Sequence, residues 1–143
     1  MDNWKAQLKA DPLPWLLEPD ADNPGVRYFV WRDLLDRPED DLELCRARAD
    51  IMTQGPVPAI LDAQHPDGYW VKPGGGYTPS YRATIWQIIF LAELGTDPGD
   101  ERVQQSCEYL LSHSIAANGA FSMSRRPVGG SIALRAMRST ASS

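Results

Sequence analysis

The chain has 143 residues, 43% of them hydrophobic and 23% charged, enough apolar material for one domain to bury a core without metals or disulfides. Fourteen Lys and Arg against nineteen Asp and Glu leave a net charge of −5. That is the wrong sign for a protein whose work is to neutralise phosphates, so no nucleic-acid partner is expected. The longest apolar stretch, Ile85 to Leu94, is interrupted by Gln87 and Glu93 and is too short to span a bilayer. Met-Asp-Asn-Trp-Lys at the N-terminus shows no secretory signal, and the expected compartment is the cytoplasm. Cys45 and Cys107 each fall in helical-looking sequence and imply no disulfide framework.

Asn23-Pro24 reads as a helix start, with Asn as the cap and Pro in the first turn, followed by Val26, Phe29, Val30 and Leu34 at helical spacing. Pro38 to Asp41 opens a second helix with acids in its first turn and an expected stripe of Leu42, Cys45, Ala49 and Met52. Gly55-Pro56 ends it, and a shorter helix begins at Pro58 and runs through Ala63. A loop from Gln64 to Gly76, rich in Pro, Gly and aromatic residues, separates these from Thr78-Pro79, which repeats the cap-plus-proline pattern. The spacing then predicts a helix to Leu94, capped by Gly95, with Tyr81, Ile85, Ile88, Ile89 and Ala92 on one face. Because Trp86, Phe90 and Leu91 cover much of the rest, that helix is expected to be buried. Asp97-Pro98 and Asp100 start a last helix with the stripe Val103, Cys107, Leu110 and Leu111. No segment alternates with period two, so the fold class is all-α.

Charge divides the chain into residues 1–123, a helical domain with ten basic residues and all nineteen acids, and residues 124–143, a tail with four Arg, five Ser and no acid. The tail reads as flexible. Within the body, Gln64 to Trp70 is a helix end followed by a turn with Gly68 and an aromatic residue two positions on. Leu110 to Phe121 has the same grammar around Gly119, 51 residues later. A repeated helix pair explains both.

Gln64-x-x-x-Gly68-x-Trp70 resembles the signature turn of the terpenoid and squalene cyclases, whose relatives include protein prenyltransferases and other α/α-toroid proteins. The resemblance covers roughly residues 23–122; in the second copy the Gln is missing and Phe121 stands for Trp. It implies antiparallel helix pairs forming an arc, about half, of an α/α toroid. It also makes Gln64, Asp67, Gly68, Trp70, Gly119 and Phe121 structural turn residues. In such a turn Gln64 would cap a neighbouring helix, Trp70 would stack against it, and Gly68 would permit the reversal. Half a ring exposes apolar surface, so self-association or a partner chain completing the toroid is expected.

Catalytic motifs of such families have only near matches. Asp20-Ala21-Asp22-Asn23 ends in Asn where an acid motif for alkene protonation needs Asp, and reads as a capping turn. Asp40-Asp41-Leu42-Glu43 approaches a magnesium–diphosphate motif, yet acids crowd the first turn of ordinary helices. Cys107 and His113, six positions apart, face different sides of a helix, so no metal site is expected. Gly74-Gly75-Gly76 lacks the context of a phosphate loop, and no cofactor is implied.

Tyr69, Tyr77, Tyr81 and Trp86, with Arg82 as the cation beside them, are the ligand-pocket candidates; ordinary core aromatics are the competing reading. The expected function is a terpenoid-cyclase-like module, non-catalytic or incomplete alone, binding an apolar, isoprenoid-like ligand or a partner chain. An isoprenoid cyclase or prenyltransferase active as an oligomer, and a pure protein–protein scaffold, are the alternatives.

Overall fold

A computed structural model describes residues 4–116 and 119–121. The proposed tail 124–143 and Asn118 lie outside the described residues. Six α-helices occur there: α1 (Leu13–Leu16), α2 (Pro24–Phe29), α3 (Leu42–Thr53), α4 (Pro56–Asp62), α5 (Thr84–Glu93) and α6 (Glu101–Ser114). Among the described residues there is no strand; an isolated bridge joins Ile115 and Phe121. The chain divides into two compact units, Met1–Ala59 with Leu94–Asp97, and Ile60–Glu93 with the described part of Pro98–Ser143.

In the first unit α2 packs on α3. Pro24 occupies the first turn of α2 as its missing N–H allows, but Asn23 makes no side-chain cap. Its amide instead donates to the Asp20 carboxylate at 2.9 Å. Beyond Phe29 the helix widens into a π-type turn, Val30–Leu34, which buries Trp31. The guanidiniums of Arg27 and Arg37 lie 5.2 and 5.1 Å from the Trp31 ring centroid, so its polar neighbours are cations that the ring face attracts.

Asp41 caps α3, accepting from the backbone N–H groups of Glu43 and Leu44 at 2.9 and 3.0 Å. The buried face of this helix is Leu44, Ala47 and Ile51, not the expected stripe; Leu42, Cys45 and Ala49 are exposed. Both stripes are apolar, hold one alanine each and have helical spacing, so spacing alone does not choose between them.

In the second unit α5 packs on α6. Helix α5 starts at Thr84, not near Thr78: Thr78-Pro79 is a cis peptide within a turn, and Tyr81 has φ +62°. Its burial is partial as well, since only Thr84 and Leu91 are fully covered and Ile89 is exposed. Asp100 caps α6 as expected, accepting from Arg102 and Val103 N–H. The buried face of α6 is Ser106, Tyr109 and Ser114, whereas Cys107 and Leu111 are exposed. Buried serines carry no hydrophobic signal, which is why the stripe was misplaced by the apolar pattern; Ser106 returns its hydroxyl hydrogen to the Val103 carbonyl at 2.7 Å.

Candidate functional site

The turn from Gln64 to Trp70 is the organising element of the second unit. His65 N–H donates to the Tyr69 carbonyl and Gly68 N–H to the His65 carbonyl, both at 2.8 Å. The second turn repeats this pattern: Ala116 N–H donates to the Ala120 carbonyl and Gly119 N–H to the Ala116 carbonyl, again at 2.8 Å. Each bond is displaced by 51 residues from its counterpart, and Gly68 and Gly119 both adopt left-handed φ, +99° and +81°. The repeat read from the glycine spacing is therefore a repeat of backbone geometry.

The copies differ in what surrounds them. At Gly68 a Cβ would stand 2.7 Å from the Gln105 carbonyl oxygen, so this turn touches α6 backbone. The Gln64 amide donates to the Arg102 carbonyl at 2.9 Å, in the first turn of α6. It thus reaches a neighbouring helix start, as expected, but at a carbonyl; the free N–H groups there belong to the cap Asp100. Trp70 is 3% exposed and donates two hydrogen bonds. Its indole Nε1 donates to the Ile60 carbonyl at 2.7 Å and its backbone N–H to Thr84 Oγ1 at 3.0 Å. Phe121, at the equivalent position, is 50% exposed. Asp67 is exposed, and its backbone N–H donates to His65 Nδ1 at 3.1 Å, leaving that nitrogen an acceptor beside the Asp67 carboxylate.

The ligand-pocket candidates separate into two groups. Tyr77 and Tyr81 pack on Trp86 with centroids 5.4 and 4.8 Å away, and Trp86 Nε1 donates to the Tyr77 carbonyl at 2.9 Å. Tyr81 is 66% exposed and Tyr77 46%, so the cluster is a surface patch. Arg82, beside it in sequence, is also exposed. Tyr81 holds its ring out on a left-handed backbone that bulky residues rarely adopt.

Tyr69 belongs elsewhere, in a ladder of four rings. It stacks on His65 at 4.3 Å and contacts Tyr109 at 5.3 Å, and Tyr109 stacks on His113 at 3.9 Å. Tyr109 also accepts from Gly74 N–H through its hydroxyl at 2.7 Å, fixing the glycine-rich loop. His113 Nδ1 lies 2.9 Å from the Tyr109 carbonyl, which can hold a proton on that nitrogen. The ladder borders an open groove of about 840 Å³ lined by Asp67, Tyr69, Glu108, Tyr109, Ser112 and His113. Sequence reading missed Tyr109 and His113 here; their i, i+4 spacing on one helix was the available signal.

Both acidic near matches are engaged in local hydrogen bonds. Hydrogen bonds from the Asn23 side chain and the Asp22 backbone N–H hold the Asp20 carboxyl below its ordinary 3.8. Asp41 is lowered by the Leu44 N–H, with Arg37 assisting, as befits a cap. Among the described residues no group of three or more His, Cys, Asp and Glu is placed to hold a metal ion. None of their helices is long and apolar enough to cross a membrane. No protein-family model, curated protein or solved structure matches the chain.

Proposed function

We propose that this chain is a helical-repeat binding module of the terpenoid-cyclase and prenyltransferase type, an arc of an α/α toroid that holds an apolar, isoprenoid-like ligand or a partner chain and does not catalyse alone. The observation that carries the reading is the cluster of Tyr77, Tyr81 and Trp86, two exposed rings packed on a half-buried one, with Tyr81 on an unfavourable backbone. Rings gathered at such a surface gain by being covered, and aromatic residues dominate the centres of binding surfaces for that reason. The duplicated turn supports the repeat architecture, because stacked helix pairs need the same reversal at the same interval. Asp20 holds a turn ahead of α2 and Asp41 caps α3, structural uses of these acids that favour the module over the oligomeric cyclase or prenyltransferase alternative.

The test compares the parent with the double variant Tyr77→Ser/Tyr81→Ser in sedimentation velocity and in tryptophan-fluorescence titration with farnesol. Both side chains are exposed, and the Tyr77 carbonyl that receives Trp86 is backbone, so the variant retains its fold. The parent should self-associate or bind farnesol, and the variant should do so at least tenfold more weakly. A parent that stays monomeric and silent to farnesol, or a variant matching it, overturns the reading.

A further inference from the structure

The first unit contains a second feature that the aromatic patch does not explain. Beside α2 lies a pocket of about 180 Å³, lined by Val26, Phe29, Ile51, Val57 and Leu94, with Gly25 forming part of the wall. All of these residues belong to the first unit. Asn23 and Gln54 are the polar side chains that line it. Asn23 donates one of its two amide hydrogens to Asp20, and its carbonyl oxygen is an acceptor.

Gly25 is the informative residue. It sits in the first turn of α2 with no left-handed φ to require glycine. A Cβ there would meet the Leu94 carbonyl oxygen at 3.4 Å and the Phe29 ring at 3.5 Å, ordinary contacts. Glycine inside a helix is unfavourable relative to alanine. Neither backbone nor packing demands it, and its effect on the molecule is to leave the pocket open. Around it, Ile51 and Val57 are almost completely buried, so the floor is hydrocarbon held in place by the core.

From this geometry we infer that the pocket beside Gly25 is a small-molecule site for a compact apolar compound, a single six-membered ring or a branched chain of similar size, carrying at most one hydroxyl. The size follows from the volume: an enclosed hydrocarbon-lined cavity of about 150 Å³ admits benzene, and this pocket, open at its mouth, has the 180 Å³ to seat a ring with a small substituent. The single polar group follows from the lining, whose polar side chains are Asn23 and Gln54. None of its residues belongs to the Tyr77–Tyr81–Trp86 patch, and the site stands whether or not that patch binds.

The experiment is an NMR titration of the full chain with toluene, and separately with p-cresol, up to their solubility limits. Saturable shifts are expected, with intermolecular nuclear Overhauser contacts to Phe29, Ile51 and Val57. Gly25→Val and Leu94→Phe fill the pocket from different walls, and each should weaken toluene binding at least tenfold without lowering the melting temperature. The inference is overturned if the parent shows no saturable shift, or if filled variants that are folded by circular dichroism bind toluene like the parent. Contacts confined to Tyr77, Tyr81 and Trp86 would also overturn it, while leaving the aromatic-patch reading intact. Should neither filled variant fold, the contacts observed on the parent decide the matter.

Discussion

Trp70 and Thr84 are joined by a hydrogen bond from the Trp70 backbone N–H to the Thr84 hydroxyl oxygen, 3.0 Å long, with Thr84 fully buried at the first position of α5. One threonine thereby ties the repeat turn to the start of the next helix. Thr84→Val keeps the shape and removes the acceptor, stranding a buried N–H, and should cost about 1–3 kcal/mol in chemical denaturation. Thr84→Ser should retain most of that. Trp70→Ala removes the ring and its bond to Ile60 together, and an expected loss on the order of 3–5 kcal/mol would unfold much of the protein. A Trp70→Ala protein that melts like the parent contradicts the role given to the turn.

The two glycines of the repeat offer an internal comparison. Gly68→Ala combines a left-handed φ with a clash on the Gln105 carbonyl, which is backbone and cannot step aside. Gly119→Ala has the left-handed φ alone, since a Cβ there meets no described atom within 4 Å. The second should cost about 1–2 kcal/mol, and the first clearly more. Equal melting shifts would mean that the clash at Gly68 relaxes freely.

Val71 follows Trp70 with φ +67° and is mostly exposed, an unfavourable place for a β-branched residue. Val71→Gly removes the steric penalty and loses little burial, so the melting temperature should rise, corresponding to about 1 kcal/mol. A fall would show that the Val71 side chain contributes packing that outweighs its backbone.

Acid should act through the caps. Burial works against charge on Asp100, yet the Arg102 guanidinium and the N–H groups of Arg102 and Val103 hold its carboxyl below 3.8, and Asp41 is lowered likewise at α3. A lowered folded-state value means the stabilisation is complete above the unfolded value and is lost as pH falls through the folded one. Stability should therefore be level above about pH 5 and decline below pH 4. Asp100→Asn keeps a capping oxygen and should flatten part of that decline; Asp100→Ala should cost about 1 kcal/mol at neutral pH.

Much of the local structure was legible in the chain. Asp100 announced its helix, Pro24 its first turn, and Gly68 and Gly119 a repeat whose hydrogen bonds coincide, while the acids at Glu39–Asp41 signalled a helix that starts only at Leu42, with Asp41 as its cap. The failures have definite causes. Thr78-Pro79 looks like a helix start because a proline turn and a helix cap share residue types, yet α5 begins at Thr84 and Tyr81 lies in the turn before it. On α3 two apolar faces have the same helical spacing and the pattern cannot choose between them, and on α6 the buried face carries Ser106 and Ser114, which give no hydrophobic signal. The ring ladder was invisible because it joins His65 and Tyr69 to Tyr109 and His113, about forty residues apart in sequence, a proximity that only folding creates.

Native mass spectrometry of the purified full chain, gentle enough to retain bound lipid, tests the binding-module account most directly because it reads assembly and ligand together. The account predicts a dimer or larger species, or adducts of isoprenoid mass, that disappear in Tyr77→Ser/Tyr81→Ser. A bare monomer in the parent, or adducts that persist unchanged in the double variant, would contradict it.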